Sequence, residues 1–222
     1  MRCWTGGVRG PRRRRGPAGG AGRVSALLRV LIIAAAPLTA GAQPSDPAAR
    51  INGFYGVLLE TMKQAKALGP RGRYERLYPT VIKTFDVAGM TRIASGPGWQ
   101  TASAAQQAAL VDAFSRMMTA TYAARFDDFT GETFEVAPAA DQPPGSKLVR
   151  TRLIQSNGKP VTLNYVMHNA ADGWQIADVY LDGTISELAA RRAEFASVMK
   201  SGGPDALAAL LRQRADKLLS GP

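Results

Sequence analysis

The segment from residue 173 to residue 211 constrains the fold more than any other part of the chain, because it predicts a buried strand that leads directly into a helix. Trp174 to Leu181 is apolar apart from two positions, one of which is Asp178, and this is typical of a strand covered on both faces. A turn at Asp182-Gly183 follows. Thr184 to Glu187 then has the T-x-x-E form of a capping box, which predicts the start of a helix.

The predicted helix carries one arginine within its apolar stripe. The stripe repeats at spacings of three and four residues and consists of Ile185, Leu188, Arg192, Phe195 and Met199. Gly202-Gly203 predicts the end of this helix, and Pro204 predicts the first position of another. Because a buried charge needs a partner, we expect Asp178 to form an ion pair with Arg192 across the strand–helix junction. The alternative is that Arg192 extends to the helix edge and keeps its charge in water.

The order of these positions resembles the C-terminal signature of the MlaC/toluene-tolerance family. The matching residues are Trp174, Asp178, Val179, Gly183, Ser186, Arg192, Phe195 and Gly203. The run DVYLDGTISELAARRAEF is most similar to the branch associated with hopanoid biosynthesis, known as HpnM. The resemblance implies a periplasmic lipid-binding protein that passes phospholipid or hopanoid across the envelope, with a membrane-bound transporter or acceptor complex as its partner.

The first 42 residues predict a secretory signal peptide. They hold eight arginines and no acidic residue, followed by an apolar run from Val30 to Leu38 and the small-residue sequence Ala40-Gly41-Ala42. A basic nucleic-acid-binding arm would explain the arginines but not the apolar run. We therefore expect cleavage near Ala42-Gln43, a periplasmic location, and a single lipid-binding domain over residues 43–222.

Removal of that segment changes the charge of the chain. Without its eight arginines, the 28 basic residues fall to 20, against 17 acidic residues, so nothing in the charge suggests a nucleic-acid partner. Cys3, the single cysteine, is removed as well, which excludes disulfides and thiolate metal sites from the mature chain.

The remaining patterns predict an α+β fold. Helix starts are predicted at Asp46, near Tyr74, at Asp86 and at Ser103, and with the two after residue 183 they make about six helices. Four strands are predicted at Thr133–Ala137, Lys147–Gln155, Pro160–Asn169 and Trp174–Leu181, with Pro138–Gly145 as an exposed loop and a hairpin turn at Asn157-Gly158. We expect a four-stranded antiparallel curved sheet covered by the helices, an NTF2-like core with added helices, and an apolar cavity between the two layers.

The side chains expected to line that cavity and bind lipid are the apolar ones on the inward faces of these elements. They are Phe85, Met90, Ile93, Phe114, Met118, Tyr122, Val149, Leu153, Val161, Leu163, Tyr165, Met167, Val179, Ile185 and Leu188. Ordinary core packing requires the same residue types, so composition alone does not separate a lipid site from a filled core.

The sequence offers little for catalysis. His168 is the only histidine, and no metal cluster, cofactor motif or nucleophile motif is present. We therefore expect a monomeric lipid carrier with no cofactor and no enzymatic activity. Two alternatives stay open from the residues alone: a small periplasmic enzyme that uses Asp178 or His168, and an envelope scaffold that binds only proteins.

Overall fold

A computed structural model describes residues 46–142 and 145–221. The predicted signal peptide and its cleavage site lie outside the described residues. The contacts of the described residues place them in one compact unit. None of the helices in these two ranges combines the length and hydrophobicity that a membrane span requires.

Six helices occur in the described part of the chain, in agreement with the expected number. They are α1 (Pro47–Lys63), α2 (Ala65–Thr84), α3 (Val87–Ser95), α4 (Gly98–Thr101), α5 (Ala104–Arg125) and α6 (Glu187–Leu219). The predicted starts of α1 and α5 are confirmed by their caps. Asp46 accepts hydrogen bonds from two backbone amides at the start of α1, and Ser103 and Gln106 form both bonds of a capping box at the start of α5.

The sheet is antiparallel and has more strands than the four predicted. The strands are β1 (Thr133–Val136), β2 (Ala140–Gln142), β3 (Ser146–Ile154), β4 (Pro160–Ala170), β5 (Gly173–Leu181) and β6 (Ile185–Ser186). Their order is β1-β3-β4-β5-β6, and β2 also pairs with β3.

The two additional strands have local causes. β3 is longer than β1, so the first part of β3 is free to pair with β2, which lies in the segment predicted as a loop. Asp182 and Gly183 both adopt positive φ angles, of 49° and 77°, and this tight turn folds Ile185 and Ser186 back onto the end of β5. The predicted helix start at Thr184 is therefore wrong, and α6 begins only at Glu187.

The predicted break after Gly202-Gly203 is confirmed within α6. Gly203 has φ 66° and ψ −164°, a backbone conformation outside the helical region, and the helix resumes at Pro204. The first half of α6 can therefore follow a different direction from the second half. The second half packs its buried face, which includes Leu207 and Leu211, into the core.

The predicted ion pair between Asp178 and Arg192 is wrong. Asp178 Oδ1 accepts hydrogen bonds from the amides of Val179 and Leu188, at 2.7 and 3.1 Å, and Oδ2 accepts one from the Ser186 hydroxyl at 2.5 Å. Arg192 is exposed on α6. Three donors thus satisfy the carboxylate without a cation, and the two from Ser186 and Leu188 attach the start of α6 to the sheet.

We predict that Asp178→Ala lowers the free energy of unfolding by about 2–3 kcal/mol, because a half-buried carboxylate that accepts three hydrogen bonds is lost. Arg192→Met should change it by no more than about 0.5 kcal/mol, as is usual for an exposed side chain. Urea denaturation of both single variants and of the double variant measures this. If the double variant loses clearly less free energy of unfolding than the two single variants together, the two residues do interact, and the ion pair would be supported after all.

Candidate functional site

A cavity of about 230 Å³ lies between the inner face of the sheet and the helices. Its sheet wall consists of cross-strand neighbours, whose side chains point to the same face. Leu153 is paired with Val161, Leu163 with Leu181, and Tyr165 with Val179. Because side chains alternate between the two faces of a strand, Leu163 and Tyr165 both point inward. Together with their cross-strand neighbours they form one continuous apolar wall.

The opposite wall is one face of α5. Phe114, Met117, Met118, Thr121, Tyr122 and Arg125 recur there at spacings of three and four residues. Six further residues of α5 are also buried, because α2, α3 and α6 pack around the helix: Leu110, Ala113, Ser115, Thr119, Ala120 and Ala123. The buried residues of α5 therefore form a wide arc. One part of the arc packs against neighbouring helices, and the other part faces the cavity.

Other parts of the cavity wall come from the segment around the start of α3 and from the start of α6. Phe85 enters from the link between α2 and α3, Met90 from α3 itself, and Leu188 from the first turn of α6. Phe85 belongs to a T-shaped aromatic contact with Phe54 of α1, with ring centroids 5.5 Å apart. Phe54 contacts Tyr122 in the same way at 5.4 Å. These ring contacts hold both lining residues against α1.

Eleven of the fifteen residues expected at the site line the cavity. They are Phe85, Met90, Phe114, Met118, Tyr122, Leu153, Val161, Leu163, Tyr165, Val179 and Leu188.

The other four expected residues lie elsewhere, and the expectation is corrected for them. Val149 and Met167 are fully buried in the core, outside the cavity wall. Ile93 is 43% exposed on the outer side of α3, and Ile185 is 55% exposed because it belongs to the edge strand β6 instead of α6.

Sequence reasoning missed seven lining residues, and four of them are polar. Met117, Phe126 and Leu181 continue patterns that were already visible, since each follows a predicted lining residue at helical or strand spacing. Thr121, Arg125, Glu187 and Arg191 are the polar members of the wall, and we call them the polar rim. A search for apolar residues could not have found them.

A chain of buried hydroxyl groups supports the sheet wall. The Tyr55 hydroxyl lies 2.6 Å from Thr151 Oγ1 and 2.9 Å from the Tyr165 hydroxyl, and Thr151 donates in turn to the carbonyl of Leu163 at 2.5 Å. Burial raises the pKa of Tyr55 to about 12 and raises the pKa of Tyr165 well above 10. Burial also raises the pKa of Tyr122. All three phenols are therefore neutral at physiological pH.

The residues proposed for catalysis lie outside the cavity wall. His168 Nε2 is 3.2 Å from Asp86 Oδ2, and neither side chain lines the cavity. Asp178 is occupied by its three donors. Among the described residues, Glu187 is the one carboxylate in the wall. No group of three or more histidine, cysteine, aspartate or glutamate side chains that could hold a metal occurs among the residues described.

A family model confirms the resemblance to the MlaC family. The model for the MlaC protein matches residues 55–213, a range that begins within α1 and ends in the second half of α6. Among curated proteins, none shows significant similarity to the chain.

Solved structures also match the chain. One of them is the phospholipid-binding protein from Ralstonia solanacearum, in complex with a phospholipid. It is 25% identical in sequence and superposes with a TM-score of 0.68, over 78% of this chain and 98% of that protein.

The buried phenols predict a loss of stability at high pH. Above pH 10 the unfolded chain releases the protons of Tyr55, Tyr122 and Tyr165 while the folded chain retains them. The free energy of unfolding should therefore fall by about 1.4 kcal/mol per pH unit for each of them. For Tyr55 the fall should end near pH 12, its pKa in the folded state. Urea titrations between pH 9 and 11, followed by tyrosinate absorbance, measure the slope.

Tyr165→Phe removes one of the three phenols, and we expect a shallower slope for this variant. Phe114→Leu is the control, because it changes the cavity wall without removing a phenol and should leave the slope unchanged. Ionisation of all six tyrosines near pH 10 in a protein that stays folded would contradict the prediction.

Proposed function

This chain belongs to the MlaC family, and from that premise we propose that it is a periplasmic carrier that shields a lipid in its cavity and moves it between the membranes of the envelope. The observation that carries the proposal is the apolar wall. Apart from the polar rim, every lining side chain is aliphatic, aromatic or a methionine. Each CH₂ group that moves from water into such surroundings stabilises the complex by roughly 0.8 kcal/mol.

The size of the cavity bears on how the cargo is held. Its volume of about 230 Å³ is below the roughly 300–1,000 Å³ of pockets for drug-sized ligands. A lipid with two chains therefore needs the walls to move apart. Met90, Met117 and Met118 line the cavity, and their unbranched side chains can repack around ligands of different shape. We propose that loading widens the cavity through these side chains.

Two classes of cargo have support. The similar protein from Ralstonia solanacearum binds a phospholipid, and the sequence resemblance to the HpnM branch favours a hopanoid. The periplasmic location rests on the predicted signal peptide. Exchange with a membrane-bound complex, and the monomeric state, rest on the resemblance to the family.

A binding function accounts for the site better than catalysis does. The phenols in the wall are protonated, and Glu187, the only carboxylate there, lies 3.8 Å from the guanidinium of Arg191. General acid–base catalysis requires a titratable group within hydrogen-bond reach of the reacting atoms. His168 and Asp178 do not line the cavity and so do not meet that condition. A scaffold without cargo would not need an apolar cavity at all.

We predict that Leu163→Trp lowers the amount of lipid that copurifies with the protein, because the larger side chain fills the cavity from the sheet wall. Native mass spectrometry of protein purified from its own envelope measures the occupancy. Ile93→Trp is the matched control, since it adds a similar volume at an exposed position outside the cavity. Full lipid occupancy in a folded Leu163→Trp protein would argue against this cavity as the site.

The enzyme alternative has its own test. His168→Ala should leave transfer of a labelled lipid from donor to acceptor vesicles within about twofold of the unmodified protein, whereas loss of a general acid or base typically costs 10²–10⁴-fold in rate. The mass of the labelled lipid after incubation should be unchanged. A new covalent product that His168→Ala abolishes would show an enzyme instead of a carrier.

A further inference from the structure

A surface hollow of about 460 Å³, formed by α3, α4 and α6, lies outside the lipid cavity. Arg92 and Ile93 line it from α3, Trp99 and Gln100 from α4, and Arg192 from α6. None of these side chains lines the cavity. The hollow holds two guanidinium groups and no carboxylate among the described residues, so we call it the arginine hollow.

Both arginines are available to a ligand. In the part of the chain that the structure describes, no carboxylate lies within ion-pairing distance of Arg92 or Arg192. Arg192 is the arginine that the sequence pattern suggested would pair with Asp178, and the structure leaves it exposed instead. Two like charges that share one hollow repel each other, so an anion bound between them would be favoured.

The arginine hollow also offers apolar surface. Ile93 is 43% exposed, and Trp99 is half-buried, with part of its side chain packed against the core. An exposed arginine or isoleucine alone is ordinary on a protein surface. Arginine and tryptophan side chains together in a concave site are, however, the residue types that contribute most to binding at protein–protein interfaces.

The backbone beneath the arginine hollow is fixed in place. Gly96 has φ 61°, and a Cβ atom at Gly98 would lie 2.3 Å from Met199 Cε, so the link between α3 and α4 packs directly onto α6. Arg192 Nε lies 3.8 Å from the position that a Cβ atom of Gly96 would take, which places this side chain beside the same link. A surface that is already formed loses little conformational entropy when it binds a partner.

We propose that the arginine hollow binds an acidic segment of a partner protein. Carboxylates of that segment pair with the forks of Arg92 and Arg192, and an aliphatic or aromatic side chain between them packs against Ile93 and Trp99. The concave shape favours a protein segment over a membrane surface, because a membrane is contacted by apolar side chains that protrude into it. This inference goes beyond the proposed carrier function and does not depend on the cargo.

The test uses the protein purified from its own envelope and a phage library of random twelve-residue peptides. We expect the selected peptides to be enriched in aspartate and glutamate around an apolar residue. The tightest peptide is then synthesised with a fluorescent label, and its affinity is measured by fluorescence anisotropy. Arg92→Gln/Arg192→Gln should weaken its binding by at least about tenfold. Arg92→Lys/Arg192→Lys should lose part of the affinity, since it keeps the charge but not the planar fork.

The matched control is Arg71→Gln/Arg150→Gln, which removes the same charge from two exposed arginines outside the arginine hollow. It should bind the peptide as the unmodified protein does. Arg92→Gln/Arg192→Gln breaks no ion pair, so its urea denaturation midpoint should be unchanged. Leu163→Trp, which fills the lipid cavity, should also leave peptide binding unchanged, so a failure of lipid carriage and a failure of this surface are separate results.

Three outcomes would overturn the inference. The first is a selection that yields no binders, or binders without enrichment in acidic residues. The second is an acidic peptide that binds Arg92→Gln/Arg192→Gln as tightly as the unmodified protein, or that is weakened equally by the Arg71/Arg150 control, because general charge attraction would then explain the binding. The third is a protein that selects no acidic peptide but binds phosphatidylglycerol vesicles through Arg92 and Arg192, which would make the hollow a membrane contact.

Discussion

The carboxylate of Asp178 holds the sheet and α6 together, and the part of the cavity wall that α6 supplies depends on that junction. Its hydrogen bonds to Ser186 and to the amide of Leu188 fix the first turn of α6 against β5. Leu188, Glu187 and Arg191 reach the cavity only because this turn is fixed. A strand carboxylate thus helps to cap a helix without pairing with a cation.

The cavity persists because a second layer of side chains packs against the residues that line it. Phe54 braces Phe85 and Tyr122 from α1, and the Tyr55–Thr151–Tyr165 hydroxyl chain stiffens the sheet beneath Leu163. Side chains held in this way cannot collapse freely into the empty space. The methionines of α5 are the exception, since their flexibility allows the space to adapt to cargo. Rigid backing and adaptable lining together suit the lipid carrier proposed above.

The placement of charge separates two parts of the site. Apolar side chains dominate the sheet wall and the middle of α5, whereas the charged side chains lie at the end of α5 and the start of α6. The apolar part supplies binding energy in proportion to buried area and discriminates little between chains. The polar rim is the part of the wall where directional hydrogen bonds to a ligand are available.

The sequence by itself determined the local structure and most of the apolar wall. Caps at Asp46 and Ser103, the break at Gly203 and the strand alternation around Leu163 depend on neighbouring residues, so they could be predicted, and the family followed from the order of such signals. The tertiary structure alone decided the rest. Pairing of β2 and β6, the three donors around Asp178, and the exposure of Ile93 and Ile185 depend on which distant segments meet. The polar rim joins helices more than sixty residues apart in the chain, and no local pattern of hydrophobicity records such a meeting.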